Sequence, residues 1–304
     1  MKKGITKILS ACVFAFVVFL AAGTQSKAAV NMGVKQTGAG SSYVELAWNA
    51  QLGAGHYHTQ FSQDGKNWID MEYSSSPSDS VYNLTQGASY YARVVAYNGS
   101  HYSGTHVMVG VSETAIVSTK PTEVTGLTQT AAGVNSVSMS WNASAGAASY
   151  VIYGYINYNW TQIGTSATNS ATITGVAATT STKFSVAAVK NVTGGTVTGD
   201  QCSGVEMKAI PIKVSRIAMQ YYWDSLKEAK YIWTDVNNAD GYQYEVKSAN
   251  GKKTYFRATS TSSYTYVKPF PRGIFVKARV RAYVTVGNKV YYGAWSPYTY
   301  HASS

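Results

Sequence analysis

Four of the chain's five histidines, His56, His58, His101 and His106, lie between residues 56 and 106. Imidazoles gathered in one place can hold a transition metal or change charge near neutral pH. His56 and His58 are two apart, so on a strand both point to one face and Tyr57 points to the core. The plainer reading is four solvated histidines on one face. With the fold described below, His101 and His106 are expected at the turn and last strand of the same sheet. Asp64, Asp70, Glu72 and Asp79 lie in the same region. Glycoside hydrolysis needs two carboxylates flanking a cleft, and these four read instead as solvated residues of hairpins and loops. No Gly-rich phosphate loop, HExxH or GxSxG occurs. The two cysteines, Cys12 and Cys202, exclude an all-cysteine zinc site. These residues point away from an enzyme, and no cofactor is expected.

The cations are unevenly spread. Residues 30–120 carry four basic against six acidic side chains, 121–210 three against three, and 211–304 fourteen against five. The formal charge of +11 thus belongs largely to the last third. There Lys277, Arg279 and Arg281 alternate with Ala278, Val280 and Ala282, which stands three like charges ~7 Å apart on one face of a strand. Trp295 and Glu245 are the candidate partners that would relieve the repulsion. One reading is therefore an internal cation–π and salt-bridge ladder. The other is an anion-binding face, widened by Lys247, Lys252, Lys253 and Arg257, that meets an anionic cell-wall polymer, a glycan or an acidic extracellular protein. No nucleic-acid recognition motif supports a nucleic-acid partner. Trp68, Trp160 and the run Tyr221-Tyr222-Trp223 could stack on sugar rings, or pack at core and sheet edges.

The elements that must position these residues repeat. A tryptophan closes an alternating strand at Trp48, Trp141 and Trp233, 93 and then 92 residues apart. Nine residues after each comes a strand tyrosine, Tyr57, Tyr150 and Tyr242. Turn chemistry follows: Asp64-Gly65, Asn157-Tyr158-Asn159 and Asn250-Gly251. A late alternating strand closes each unit, at 90–98, 184–189 and 276–283. Three sandwiches of roughly 100 residues fit a chain of 304. No helix-period pattern runs through it.

The core tryptophan, the tyrosine strand and the run from Leu84 through Tyr90-Tyr91-Ala92-Arg93-Val94-Val95-Ala96-Tyr97-Asn98-Gly99 resemble fibronectin type III domains. Pro121-Thr122-Glu123-Val124-Thr125-Gly126-Leu127 resembles the start of such a domain, and Gly293-Ala294-Trp295-Ser296-Pro297 its last strand. Tyr90 matches the family's tyrosine corner, while Thr182 and Val276 stand at that place in the other repeats. The resemblance implies an all-β chain of three tandem immunoglobulin-like sandwiches after a signal peptide: 1–28 the signal, 29–119 domain one, 120–209 domain two and 210–304 a basic domain three. Pro121 and Pro211 stiffen the joints, and little linker is expected.

Residues 1–28 read as a secretory signal: Lys2, Lys3 and Lys7, an apolar stretch from Ala11 to Ala22, then Ser26 and Ala28 before the cut. The lipoprotein-like Leu9-Ser10-Ala11-Cys12 has its apolar stretch on the wrong side of the cysteine. With no second apolar stretch and no sortase-type tail, the mature chain is expected to lack a membrane span and to be extracellular, in the medium or at the wall. Cys202 is then a lone thiol near a strand edge, or one half of an intermolecular bridge. The expected role is a secreted, non-catalytic binding or adhesion protein. The alternatives are a structural spacer or surface-layer component, and an accessory carbohydrate-binding string serving a separate hydrolase.

Overall fold

A computed structural model describes residues 29–99, 101, 106–178 and 181–302, so the expected signal at 1–28, with Cys12, lies outside the described residues. Every regular element among them is a strand. Domain one holds β1 (Ala29–Val30), β2 (Lys35–Ala39), β3 (Val44–Ala47), β4 (His56–Ser62), β5 (Ile69–Ser74), β6 (Ser78–Val81), β7 (Ser89–Tyr97), β8 (Met108–Ser112) and β9 (Ala115–Ser118). Domain two holds β10 (Thr128–Gly133), β11 (Ser136–Ser140), β12 (Ser149–Ile156), β13 (Asn159–Ser166), β14 (Ser170–Thr174), β15 (Ser181–Val192), β16 (Gly195–Thr198) and β17 (Val205–Lys208). Domain three holds β18 (Ile217–Trp223), β19 (Glu228–Trp233), β20 (Gly241–Ser248), β21 (Thr254–Ser260), β22 (Tyr264–Val267), β23 (Phe275–Val286), β24 (Lys289–Tyr292) and β25 (Thr299–Ala302).

Each domain pairs its first, second and fifth main strands in one sheet: β2-β3-β6, β10-β11-β14 and β18-β19-β22. The facing sheets are β1-β8-β7-β4-β5, β13-β12-β15-β16 and β21-β20-β23-β24, with β9, β17 and β25 added to the long strand. Alternation is the cause. Along β23, Val276, Ala278, Val280, Ala282 and Val284 are all buried, while Lys277, Arg279 and Arg281 face outward. Three separate cores result, within residues 32–117, 124–209 and 214–282.

The repeated Trp–Tyr pairs are the centres of these cores. Their rings lie 5.4, 5.2 and 5.4 Å apart in domains one, two and three, in edge-on or tilted contact. Each tyrosine hydroxyl accepts a backbone N–H six residues upstream: Gln51 to Tyr57 at 3.1 Å, Ser144 to Tyr150 at 3.0 Å, Val236 to Tyr242 at 2.8 Å. Tyr90 also accepts the Thr85 N–H at 3.0 Å, which makes the corner in domain one. Thr182 and Val276 stand at the same place, the second residue of the long strand, opposite Met207 and His301 as Tyr90 is opposite Val117.

The last strand of each domain is broken in two, and one small side chain sits at every break. Ser112 Oγ accepts the Val94 N–H at 2.9 Å, Cys202 Sγ the Val186 N–H at 3.2 Å, and Ser296 Oγ the Val280 N–H at 3.0 Å. Cys202 is thus a buried, packed thiol rather than one exposed at a strand edge.

The joints are hydrogen-bonded. Between domains one and two, Thr193 and Ile116 exchange two bonds (2.8 and 2.7 Å) and Lys190 donates to the Gly87 carbonyl, while Lys120, at the joint, pairs with Asp200 of its own domain at 2.7 Å. Between two and three, Lys208 pairs with Asp240 at 3.0 Å and Lys289 donates to the Thr130 carbonyl at 3.1 Å. Pro121 and Pro211 are buried in these joints.

Candidate functional site

Three places bring chemically competent side chains together. The first is the end of domain one away from domain two. His56 opens β4 and lies opposite Tyr97, the last residue of β7, while His58 lies between Val95 and Tyr73. His101 sits in the turn after β7, and His106 sits in the segment before β8 rather than on that strand. The rings of His56 and His58 are 5.5 Å apart, His58 and His101 5.3 Å, and His56 and His106 5.2 Å. His56 stacks on Tyr97 at 5.3 Å and Tyr73 lies 4.4 Å from His101. The solvated reading is corrected here for three of these four residues and stands for His106. His56 is 0% exposed, His58 and His101 are half-buried, and His106 alone is exposed. The reason is long-range: β5 and β7 lay tyrosines over the imidazoles. Burial pushes the His58 pKa below its ordinary 6.5, with Asp70 opposing and His101, His56 and His106 adding to the drop.

The nearby carboxylates do not converge on a cleft. Asp64 accepts the backbone N–H groups of Lys66 and Asn67, both at 2.8 Å, which caps its turn and lowers its pKa. Asp70 takes the Gln60 amide at 2.7 Å, and Asp79 the Thr59 hydroxyl at 3.0 Å.

The second place is the outer face of β20, β21 and β23 in domain three. Glu245 lies at its centre with its side chain fully covered. Oε1 meets Arg279 Nε at 2.6 Å, Lys247 Nζ at 3.1 Å and the Tyr298 hydroxyl at 3.2 Å; Oε2 meets Arg257 Nη2 at 2.5 Å. Burial pushes the carboxyl up, but Arg257, Lys247 and Arg279 outweigh it and hold its pKa at about 2. The cations also stack. Lys277 lies 4.7 Å from the Tyr298 ring and Arg279 4.8 Å from it; Arg279 and Arg281 lie 4.3 and 4.5 Å from Trp295; Arg281 lies 3.9 Å from Tyr292. Cation and ring thus alternate along the strand, and Arg281 donates to Gln243 Oε1 at 2.6 Å. Of the eight residues expected to form an anion face, Lys247, Arg257, Lys277, Arg279, Arg281 and Trp295 are brought together in this ladder. Lys252 and Lys253 stand apart, exposed in the β20–β21 turn. Tyr292 and Tyr298 were not anticipated; their spacing of three from Trp295 falls across an irregular stretch that no strand period marks.

The third place is the outer face of β18, β19 and β22. Tyr221 and Trp223 stand 4.0 Å apart on β18. Pairing of β19 with β22 sets Tyr264 and Tyr266 beside them, 5.9 Å apart. Trp223, Tyr264 and Tyr266 are 44, 44 and 47% exposed, so this face is an open aromatic floor. Lys230 rises through it, 5.1 Å from the Tyr264 ring and 5.7 Å from those of Tyr221 and Tyr266. The run 221–223 was a candidate from its sequence; the tyrosines of β22 join it only through register. Elsewhere Trp68 carries Arg93 at 4.1 Å, and Trp160 packs edge-on to Tyr155 at 5.3 Å.

In each domain a three-stranded sheet faces a larger one whose last strand is split, and with the corner tyrosine of domain one this decides the architecture. The fold is fibronectin type III-like. No family model matches it. Over 162 residues, 51% of the chain, it is 33% identical to Chitinase A1 of Niallia circulans. It spans 22% of that chitinase, about a fifth of its length. A crystal structure of the chicken CNTN1 FN1-FN3 domains covers 90% of this chain and 97% of that one, at 15% identity and a TM-score of 0.37. Fibronectin type III-like sandwiches are a non-catalytic domain type. Among the described residues no helix is long and apolar enough to cross a membrane.

Proposed function

We propose that this chain is a secreted, non-catalytic binding protein whose third domain holds a polysaccharide outside the cell. The observation that carries this reading is the aromatic floor of Tyr221, Trp223, Tyr264 and Tyr266. Large rings half open to water on a flat sheet leave apolar area uncovered, and such patches mark interaction sites. The apolar face of a sugar ring fits an aromatic face, and a row of rings fits an extended chain of sugars. Lys230 adds a donor amid the rings for a hydroxyl or carbonyl oxygen of the polymer. The similarity to a chitinase supports a β-linked amino-sugar polymer as the first ligand to test, with the three domains acting as an accessory string. The test is depletion of the full chain from solution by insoluble chitin, cellulose and isolated cell walls. Trp223→Ala/Tyr266→Ala should lower retention at least tenfold, and 1 M salt should leave wild-type retention unchanged. Equal retention of the double variant refutes the reading.

A second reading, binding of an anionic wall polymer, is favoured by the cation surplus around Glu245: Lys247, Arg257, Lys277, Arg279 and Arg281 face one carboxylate. Its signature is retention that falls steeply with salt and falls again in Lys252→Ala/Lys253→Ala. Those two lysines are the suitable probes, because truncating the laddered arginines would unsettle the domain itself.

A further inference from the structure

We propose that His56, His58 and His101 form a binding site for a divalent transition-metal ion of the zinc class, at the end of domain one away from domain two. One ring nitrogen from each residue lies within 4.8 Å of those of the other two. Ligands at about 2.0–2.1 Å from a tetrahedral ion stand roughly 3.4 Å apart, so closing the site takes ring movements of about 1 Å. His58 and His101 are half-buried and can make them.

The base of the site is set. His56 Nδ1 lies 3.1 Å from the Gly99 carbonyl oxygen. A carbonyl only accepts, so the neutral ring carries its proton on Nδ1 and presents the Nε2 lone pair. That Nε2 is buried with no hydrogen-bond partner, on a residue with no exposed surface, and His58 Nε2 is likewise buried and unpartnered. A lone pair left without a proton donor in a dry place is costly for folding alone. The second ring nitrogen bonded to a backbone carbonyl is the usual support of a metal-bound imidazole. Gly55 makes that support possible: a Cβ there would fall 2.2 Å from the Gly99 oxygen. Stacking on Tyr97 holds the ring's plane.

The fold does not demand this cluster. The contacts that build the shared fold recur in all three domains, as the Trp–Tyr pairs and the Ser112, Cys202 and Ser296 contacts do. The positions of His56 and His58 do not recur as histidine. Opposite Val189 and Tyr283, the counterparts of Tyr97, stand Ser149 and Gly241, and the residues two further on are Val151 and Gln243. Imidazole nitrogens without thiolates select zinc, copper or nickel over calcium or magnesium. His106, its ring 5.2 Å from that of His56 but 6.4 Å from that of His101, stands outside this three-nitrogen cluster.

The test is Zn2+ titration of the full chain without a histidine tag, by calorimetry and equilibrium dialysis at pH 7.5. We expect one ion per chain, at least tenfold weaker binding in His58→Ala and in His101→Ala, and no change in His301→Ala in domain three. Both informative positions are half-buried, so the folded state of each variant can be verified by circular dichroism before titration. Co2+ should add the visible absorption of a tetrahedral nitrogen site. Affinity should fall as the solution is made more acidic, because protons compete with the ion for the ring nitrogens. Failure of 100 µM Zn2+ to bind the wild type, or wild-type affinity in both folded variants, overturns the proposal.

Discussion

Replacing Glu245 with glutamine keeps the shape of the side chain and removes the one anion of the ladder. A carboxyl held at about 2 instead of its ordinary 4.5 contributes roughly 3 kcal/mol to folding, at about 1.4 kcal/mol for each tenfold in proton affinity. The sign follows from the direction of the shift. The unfolded carboxyl takes up its proton first, so the contribution is complete above pH 4.5 and is lost as the pH falls through to about 2. Removal of one partner from a buried ion pair costs a similar ~3–5 kcal/mol, because the remaining charges stay buried without compensation. Glu245→Gln should therefore destabilise domain three by about 3 kcal/mol at pH 7. The gap to wild type should shrink below pH 4.5 and close near pH 2. Hydrogen exchange of peptides from β20 and β23, followed in the intact chain against urea, reads this domain apart from the other two. A gap below about 1 kcal/mol at pH 7, or one that does not change with pH, would refute an electrostatic ladder centred on Glu245.

Other perturbations separate further parts of the argument. Tyr242→Phe strands the Val236 N–H and the Asp235 carboxylate, bonded at 2.8 and 2.5 Å, and should cost about 1–3 kcal/mol in the same exchange experiment. A cost near zero would show that solvent replaces the hydroxyl. Gly293→Ala sets a Cβ 2.6 Å from the Pro211 carbonyl oxygen, whereas Gly199→Ala sets one 3.0 Å from that of Pro121. Thermal unfolding should show a loss of about 1–3 kcal/mol for the former and less for the latter; the reverse order would contradict the joint geometry. Lys208→Ala removes a partly exposed pair and should cost under about 1 kcal/mol in urea titration, so a loss above 2 would mean that the joint carries more than this contact.

What could be read from sequence was local. The nine-residue interval from Trp48 to Tyr57 and its two repeats mark the cores, because a tryptophan at the end of one strand meets the tyrosine of the next strand across the two sheets. Alternation in β23 separates the Val and Ala positions from the cations without any knowledge of partners. Glu245 could be nominated because it lies on the strand expected beside β23, and Trp295 because an indole face attracts guanidinium groups. Burial of His56 could not be read, since Tyr73 and Tyr97 reach it through cross-strand register, and the shift between Thr59 and Gln60 in β4–β5 pairing hides that register. The aromatic floor was half visible for the same reason: Tyr264 and Tyr266 alternate on β22, but their neighbours on β18 lie two strands away. His106 was placed on a strand that starts two residues later.

Cys202 takes in the middle domain the place that a serine takes in its neighbours, sealed inside with its sulfur engaged by a main-chain amide. Among the described residues it is the one thiol. A bulky alkylating reagent can therefore reach Cys202 only in moments when the central sandwich has come apart. The labelling rate then becomes a clock for that event alone, silent to whatever the flanking units do. Under mechanical load, the protein carries its own gauge of whether its centre or its ends give way first.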